Sequence, residues 1–189
     1  AESVALSTTG RILIAGSYSD GRKRGLMLLG FDAAGKLDTT FGAQGIAVPA
    51  DSSVFSEGYS ILLDEDGKIF VAGAVGEQGA RDAALFRFTA AGQPDSSFEN
   101  NGVLVTSAGA GDDVLYDLAL VGEKIAAAGF KTVDEQREFL LITYAADKNQ
   151  GDENFNGSSV TMQTEAGPDK LTAEAVSTDF SDYDDKSTA

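Results

Sequence analysis

The side chains best suited to chemistry in this sequence are carboxylates, and three of them recur at a fixed spacing. Asp38, Asp95 and Asp152 lie 57 positions apart, and each is followed by a phenylalanine after two intervening residues. These phenylalanines are Phe41, Phe98 and Phe155. Carboxylates bind Ca²⁺, and a pair held about 5 to 9 Å apart can hydrolyse a glycosidic bond without histidine. An aspartate that opens a turn also accepts hydrogen bonds from the backbone N–H groups that follow it, and we expect this structural use here. We expect the phenylalanines to fill the space between neighbouring structural units.

Calcium is the metal that this sequence could best ligate, because oxygen donors are abundant and soft donors are missing. Residues 147–152 begin like a calcium-binding loop, with Asp147 and Asn149 at its first and third positions. Such a loop also needs a ligand, a glycine and a glutamate further on, where this chain has Gly151, Asp152 and Ser158. We therefore expect a solvated turn and no cofactor. Asp147, Asn149 and Asp152 remain the candidate ligands if calcium binds.

The composition excludes several other classes of chemistry. The chain has no histidine and no cysteine, which removes the usual general base at neutral pH, histidine-containing triads, thiolate nucleophiles and disulfides. Its formal net charge of −16 argues against a nucleic-acid partner, because phosphate contacts require clustered lysine and arginine. No apolar run approaches the roughly 18 residues that span a membrane. We predict that the protein is not an enzyme, binds no nucleic acid and has no membrane span.

The elements that must position these residues form an internal repeat. Gly16, Gly73 and Gly129 each interrupt an apolar strand pattern, and they are separated by 57 and 56 positions, as in a repeat protein. Each repeat contains four segments with β-type patterns that are bounded by turn residues. The sequence therefore predicts an all-β fold of four-stranded antiparallel blades, repeated at about 57 residues, as a β-propeller or a propeller-like array.

The period divides the chain into three full units and the beginning of a fourth. We predict blades at 1–55, 56–111 and 112–167, the first strand of a further blade at 168–176, and an acidic tail at 177–189. The fourth strand of the third blade is expected at 159–162. Residues 22–24, the only positive cluster, are expected to form an exposed hairpin loop, or alternatively to dock an acidic surface such as the tail of another copy.

Three linked motifs resemble the bacterial delta-60 repeat proteins. The first is the segment 66–73, the second is Leu85-Phe86-Arg87, and the third is the turn 38–45 with its Asp-x-x-Phe-Gly pattern. The chain departs from this pattern at Glu99, where a glycine is expected, and at residues 122–124, which replace the Asp-Gly-Lys turn. The resemblance covers about residues 1–176, and it implies a β-propeller-like fold and a large exported or surface-associated bacterial protein without an established activity.

An array of three blades and one strand leaves apolar surface and strand edges open at its ends. Either the chain is part of a longer one or several copies complete each other; a self-contained sandwich is the alternative. We therefore expect a non-catalytic extracellular or cell-surface structural and interaction module, which self-associates through open edge strands or contacts other repeats. The alternative is a secreted carbohydrate-active enzyme or carbohydrate-binding protein that uses carboxylates, with or without calcium.

Overall fold

Antiparallel β-sheets make up almost all of the structure, a computed structural model that describes residues 1–19, 21, 23–52, 54–122, 124–145, 162–164 and 171–173. The described chain forms two sheets of four strands, one of three strands and a two-stranded hairpin. Neighbouring strands in the first three sheets follow each other along the chain, so each sheet is a meander. The predicted all-β fold of antiparallel blades is confirmed.

The first two blades each contain four strands. Sheet A consists of β1 (Ser3–Leu6), β2 (Ile12–Ser19), β3 (Arg24–Phe31) and β4 (Ile46–Ala47). Sheet B consists of β5 (Ser56–Leu63), β6 (Ile69–Val75), β7 (Asp82–Phe88) and β8 (Val103–Thr106). One irregular helical turn, α1 (Glu99–Gly102), precedes β8. Asn100 and Asn101 have left-handed φ angles of 41° and 56° there, a conformation that asparagine tolerates better than most residues.

The third blade has three strands among the described residues. Sheet C consists of β9 (Val114–Val121), β10 (Lys124–Val133) and β11 (Gln136–Ala145). The predicted fourth strand lies mostly outside the described residues, as does the predicted acidic tail. The last two strands, β12 (Met162–Thr164) and β13 (Leu171–Ala173), pair with each other in antiparallel orientation. The part of the predicted extra strand beyond Ala173 is also outside the described residues.

The middle blade is buried on both of its faces. Successive side chains of a strand point to opposite sides of the sheet. A strand in a sheet that is covered on both faces by other sheets must therefore be apolar at nearly every position. β6 meets this condition, because its first six residues are all buried. Ile69 and Val71 face sheet A, whereas Phe70 and Ala72 face sheet C. The near-continuous apolar run that marks this strand in the sequence thus reflects packing on two sides.

Two apolar clusters join the three blades face to face. The cluster between sheets A and B contains Leu13, Ala15, Leu26, Leu28, Phe41, Ala47, Ile61, Ile69, Val71, Ala84, Phe86 and Phe88. The cluster between sheets B and C contains Phe70, Ala72, Ala83, Leu85, Phe98, Leu115, Ile125, Ala127, Leu140, Ile142 and Tyr144. Burial of each large side chain in such a cluster contributes about 1.5 to 3 kcal/mol, so these interfaces are the main source of stability.

Gly73 and Gly129 allow the first two strands of their blades to approach each other closely. A Cβ atom at Gly73 would lie 1.8 Å from the carbonyl oxygen of Glu57, and one at Gly129 would lie 1.8 Å from that of Val114. In both blades the pairing register shifts beside this glycine, so the approach accompanies a β-bulge. The recurrence of glycine at this position therefore has a steric cause in the second and third blades.

Replacing Gly73 or Gly129 by alanine should lower the melting temperature by several degrees, because the new methyl group would clash with a backbone oxygen. Overpacking typically costs about 1 to 3 kcal/mol. Gly16→Ala is the matched control, since the nearest atom to its methyl group, the Ala1 Cα, is 3.0 Å away and needs only a small shift. Circular dichroism during heating measures the difference. An equal loss in Gly16→Ala would show that close approach is not the reason for these glycines.

Candidate functional site

A group of charged side chains linked by ion pairs lies at one end of the blades. This end, here called the loop face, carries the connections that follow β2, β6 and β10 and those that join one blade to the next. A pocket of about 530 Å³ opens on the loop face between the first two blades. Its lining consists of Arg24, Phe55, Glu57, Tyr59, Gly76, Glu77, Gln78 and Arg81. The pocket combines aromatic rings with ionic groups and is the candidate binding site.

Arg81 connects the second blade to the third at the loop face. Its Nη1 lies 2.8 Å from Glu57 Oε2, and its Nη2 lies 2.7 Å from Asp112 Oδ2. The backbone N–H groups of Gly79 and Arg81 also donate to Asp112 Oδ1, at 2.7 and 3.0 Å. One carboxylate on the connection to β9 thereby holds both the side chain and the backbone of the loop before β7. The arrangement fixes two neighbouring blades relative to each other.

Glu57 joins the first and second blades in a similar way. Arg24 at the beginning of β3 places Nη1 2.5 Å from Glu57 Oε1. The hydroxyl of Tyr59 donates a hydrogen bond to the other carboxylate oxygen, which also receives the bond from Arg81. Glu57 is buried although it is charged, and three donors satisfy its oxygens. Arginine suits such multiple contacts because its guanidinium presents several N–H groups in fixed directions.

These contacts determine the protonation of the site. Burial raises the pKa of Glu57, but the hydrogen bonds from Tyr59 and Arg81 and the charge of Arg24 outweigh it, so the pKa lies below its ordinary value. The Arg81 side chain lowers the pKa of Asp112 to about 2. Burial and the neighbouring Glu57 raise the pKa of Tyr59. At neutral pH Glu57 is therefore a carboxylate with no proton to donate, and Tyr59 is a neutral phenol. The arrangement suits fixed electrostatic contacts more than general acid catalysis.

A row of aromatic rings extends from the pocket across the third blade. The ring of Tyr59 meets that of Tyr116 edge to face at 4.9 Å, and Tyr116 lies 5.8 Å from Phe130. The guanidinium of Arg137 stands over Phe130 at 4.2 Å. A second groove of about 500 Å³ lies beside Arg137 and is also lined by Asp112, Asp134 and Glu135. The loop face therefore carries two adjacent depressions, one at each junction between blades.

A buried carboxylate organises the connection between the second and third blades. Asp113 is fully buried and accepts hydrogen bonds from the backbone N–H groups of Ala108, Gly109 and Thr132, at 2.6, 2.7 and 3.1 Å. Burial raises its pKa, although these three donors lower it in part. Asp113 thereby ties the segment Ala108-Gly109 to Thr132 of β10.

Two of the recurring aspartates, Asp38 and Asp95, lie at the end of the blades opposite the loop face. Asp38 accepts hydrogen bonds from the backbone N–H and hydroxyl of Thr40, at 3.0 and 2.5 Å, and pairs with Arg11 at 2.8 Å. Asp95 bonds to Ser97 in the same way and pairs with Arg87 at 2.9 Å. The Thr40 bonds, followed by that from Arg11, lower the pKa of Asp38 to about 2. Burial raises the pKa of Asp95, but the bonds from Ser97 and the charge of Arg87 lower it overall.

The phenylalanines of these turns are buried between the blades. Phe41 is fully buried in the cluster between sheets A and B, and Phe98 belongs to the cluster between sheets B and C. Phe98 meets Phe70 edge to face at 6.5 Å, and the guanidinium of Arg87 lies 4.4 Å from its ring centre. The carboxylates of Asp38 and Asp95 are already bonded to turn N–H groups and arginines, so they are not open to a ligand.

The candidate metal ligands Asp147, Asn149 and Asp152 lie outside the described residues, and so does Phe155. Among the residues that the structure describes, no group of three or more acidic side chains is placed to hold a metal ion. That same part of the chain contains no helix with the length and apolarity needed to cross a membrane. Calcium binding stays a prediction from the sequence.

Sequence reasoning missed the arginines of the loop face. Arg24, Arg81 and Arg137 occupy equivalent positions at the beginning of the third strand of each blade, at spacings of 57 and 56. The repeat period would have identified them. In the sequence, Arg24 stands out only as part of the basic cluster at residues 22–24. The acceptors are harder to find, because Glu57 and Asp112 do not occupy equivalent positions.

Comparison with known protein families agrees with the repeat architecture. Residues 65–98 match a family model described as a domain of unknown function (DUF5122) beta-propeller. This stretch contains the turn before β6, the strands β6 and β7, and the turn of Asp95 and Phe98. No curated protein matches the chain. The match supports a propeller-type repeat, and the narrower delta-60 assignment stays a prediction.

Protonation of Asp112 should weaken the junction between the second and third blades in acid. Its pKa is about 2 in the folded protein, below the ordinary aspartate value of 3.8. A carboxyl whose pKa is depressed by folding stabilises the fold above the unfolded value, and the stabilisation is lost as the pH falls through the folded value. Asp112→Asn should therefore lower stability by roughly 1 kcal/mol at neutral pH, after allowance for solvent screening.

Thermal unfolding of both proteins between about pH 7 and pH 2 checks this expectation. The difference in melting temperature between wild type and Asp112→Asn should shrink as the pH falls from about 4 towards 2. The same substitution in an Arg81→Gln background is the control and should cost less. A difference that does not depend on pH would contradict the assignment.

Proposed function

We propose that this chain is a non-catalytic structural and interaction module of an extracellular or cell-surface bacterial protein, and that it associates through surfaces left open at the ends of its blade stack. One observation carries the proposal. Sheets A and C each have one face covered by sheet B, and their other faces expose large apolar residues. Val4, Leu6 and Phe139 are 67%, 70% and 64% exposed. Exposed apolar groups on a sheet face commonly mark an interaction surface.

A strand edge without a second hydrogen-bonded partner among the described residues adds support for association. In sheets A and B the third strand pairs with a fourth, as in Leu28 with Ala47 and Leu85 with Leu104. Among the described residues, β11 is hydrogen-bonded to β10 alone, although β12 lies close to it. Such an edge presents backbone donors and acceptors that a strand from another chain can pair with. The location outside the cell is supported by the resemblance of the repeat motifs to exported bacterial proteins.

The chemistry of the loop face supports a role without catalysis. In the pocket, the Glu57 carboxylate is already bonded to Arg24, Arg81 and Tyr59. The pair of uncommitted carboxylates that glycoside hydrolysis needs has no counterpart there. With no histidine in the chain, the residues that most often transfer protons at neutral pH are also missing.

Light scattering on the purified chain tests this proposal. We expect a mass well above the 19.6 kDa of one chain, rising with concentration, because open apolar faces and edges are covered by association. The mass should not change when a calcium chelator is added, since no calcium is required. A folded monomer at every concentration would contradict self-association.

Labelling of producing cells with a membrane-impermeant amine reagent tests the location separately.

One observation favours carbohydrate binding as a second candidate. The pocket offers the aromatic rings of Phe55 and Tyr59 beside polar groups, a combination that suits a sugar ring.

If this second candidate is correct, neutral oligosaccharides should bind with a measurable heat in titration calorimetry. Tyr59→Ala should abolish the signal, because it removes a ring that lines the pocket. Tyr18→Ala is the control, since Tyr18 is not among the residues that line the pocket. Equal binding by both variants would place any sugar elsewhere.

A further inference from the structure

We propose that a second copy of this chain docks its sheet C on the exposed face of sheet A, so that the blade stack continues head to tail between copies. The inference rests on the proposed function and adds which surfaces meet. The leading face is the outer side of sheet A and consists of Val4, Leu6, Ile12, Ile14, Leu29, Phe31 and Ile46. The trailing face is the outer side of sheet C and consists of Ala126, Ala128, Phe139 and Leu141.

The leading face repeats a surface that is buried in the other two blades. Ile12 is equivalent to Ile69 and Ile125, which are both 0% exposed. Three further residues of the leading face also have buried equivalents in the other two blades. Ile14 is equivalent to Val71 and Ala127, Leu29 to Phe86 and Ile142, and Phe31 to Phe88 and Tyr144. In sheets B and C these residues pack on the preceding blade. Sheet A therefore presents a complete surface for a preceding blade that the described residues do not supply.

The trailing face repeats the surface that receives a following blade. Leu141 is equivalent to Leu28 and Leu85, which are fully buried against the next sheet, whereas Leu141 is 38% exposed. Ala128 is exposed, and its equivalents Ala15 and Ala72 are fully buried in the same two junctions. Phe139, at 64% exposure, corresponds to the buried Leu26 and Ala83.

The two faces differ in shape in the way that the existing junctions require. At the junction between sheets A and B, sheet B contributes mainly isoleucine, valine and phenylalanine side chains, whereas the strands of sheet A contribute alanine and leucine, with Phe41 of the following turn beside them. The leading face carries large side chains of the first kind, and the trailing face carries mostly alanine and leucine. A contact between two leading faces would place large side chains against large side chains. The geometry therefore favours a head-to-tail contact over a symmetric one.

The loop face supports the same direction of assembly. Arg24 and Arg81 each reach a carboxylate on the chain that enters the next blade. Arg137, in the equivalent position of the third blade, continues this series at the side of sheet C. Two copies would bring six four- or three-stranded blades together, a number within the range of about four to eight that closes a propeller. A head-to-tail contact that closes gives a defined dimer, and one that does not close gives a filament.

Three glutamate substitutions test the contact. Val4→Glu places a carboxylate in the leading face, and Phe139→Glu places one in the trailing face. Both positions are largely exposed in the single chain. Val54→Glu is the control, because Val54 is 41% exposed but lies in the connection between β4 and β5. Light scattering and sedimentation velocity measure association, and circular dichroism confirms folding. Leu6→Glu and Leu141→Glu replace any variant that fails to fold.

Each face variant alone should associate at least about 100-fold more weakly, because a carboxylate would be buried in an apolar contact. An equimolar mixture of Val4→Glu and Phe139→Glu should form a one-to-one complex, since each retains the face that the other needs. Val54→Glu should behave like the wild type.

Several results would overturn the inference. Association that only one of the two face variants weakens would indicate a symmetric contact, and so would two monomeric variants that fail to complement each other. A wild-type oligomer that neither variant weakens would exclude face docking but leave the proposed function standing, with strand edges as its route. A wild type that remains monomeric would refute self-association itself, leaving further repeats of a longer chain to cover the faces.

Discussion

Face-to-face burial of neighbouring sheets is the interaction on which the rest of this structure depends. A sheet of alternating residues has two faces, and a blade whose faces are both apolar is stable only between two others. Sheet B is covered on both faces, and β6 and β7 are buried almost throughout. Sheets A and C are each covered by sheet B on one face only. The burial pattern therefore makes the individual blade an incomplete unit whose stability depends on its neighbours.

Ion pairs form a second layer of contacts around these apolar junctions. Arg24 is 61% exposed, so its pair with Glu57 adds little stability on its own. Arg81 and Arg87 are much more buried, and the loss of a single partner would leave a costly charge in the interior. Such pairs act mainly by specifying which strand ends face each other. Apolar packing alone would tolerate small sliding movements between two sheets, whereas Arg81 bonded to both Glu57 and Asp112 does not.

The architecture could be predicted from the sequence because its signals are local and repeated. The glycine spacing and the short apolar segments identified antiparallel blades, and the structure contains them. The partners of the recurring aspartates were not predictable in the same way. Asp38 recruits Arg11 from the turn before β2, whereas Asp95 recruits Arg87 from β7. These arginines are not equivalent in the repeat, so the period could not reveal them. The clustering at the loop face depends on the stacking of whole blades, which no single strand pattern encodes.

The connection between the first two strands of a blade explains why the period changes from 57 to 56. Five residues, 64–68, separate the paired positions Leu63 and Ile69, whereas four residues, 121–124, separate Leu120 and Ile125. The pairing of the strands is unaffected, because Leu63 opposite Ile69 corresponds to Leu120 opposite Ile125. Length changes at these hairpin tips are thus absorbed without altering either face of the sheet. The tips are natural insertion points, so a short epitope or a fluorophore-binding peptide placed there would report on the molecule without disturbing either face of the sheet.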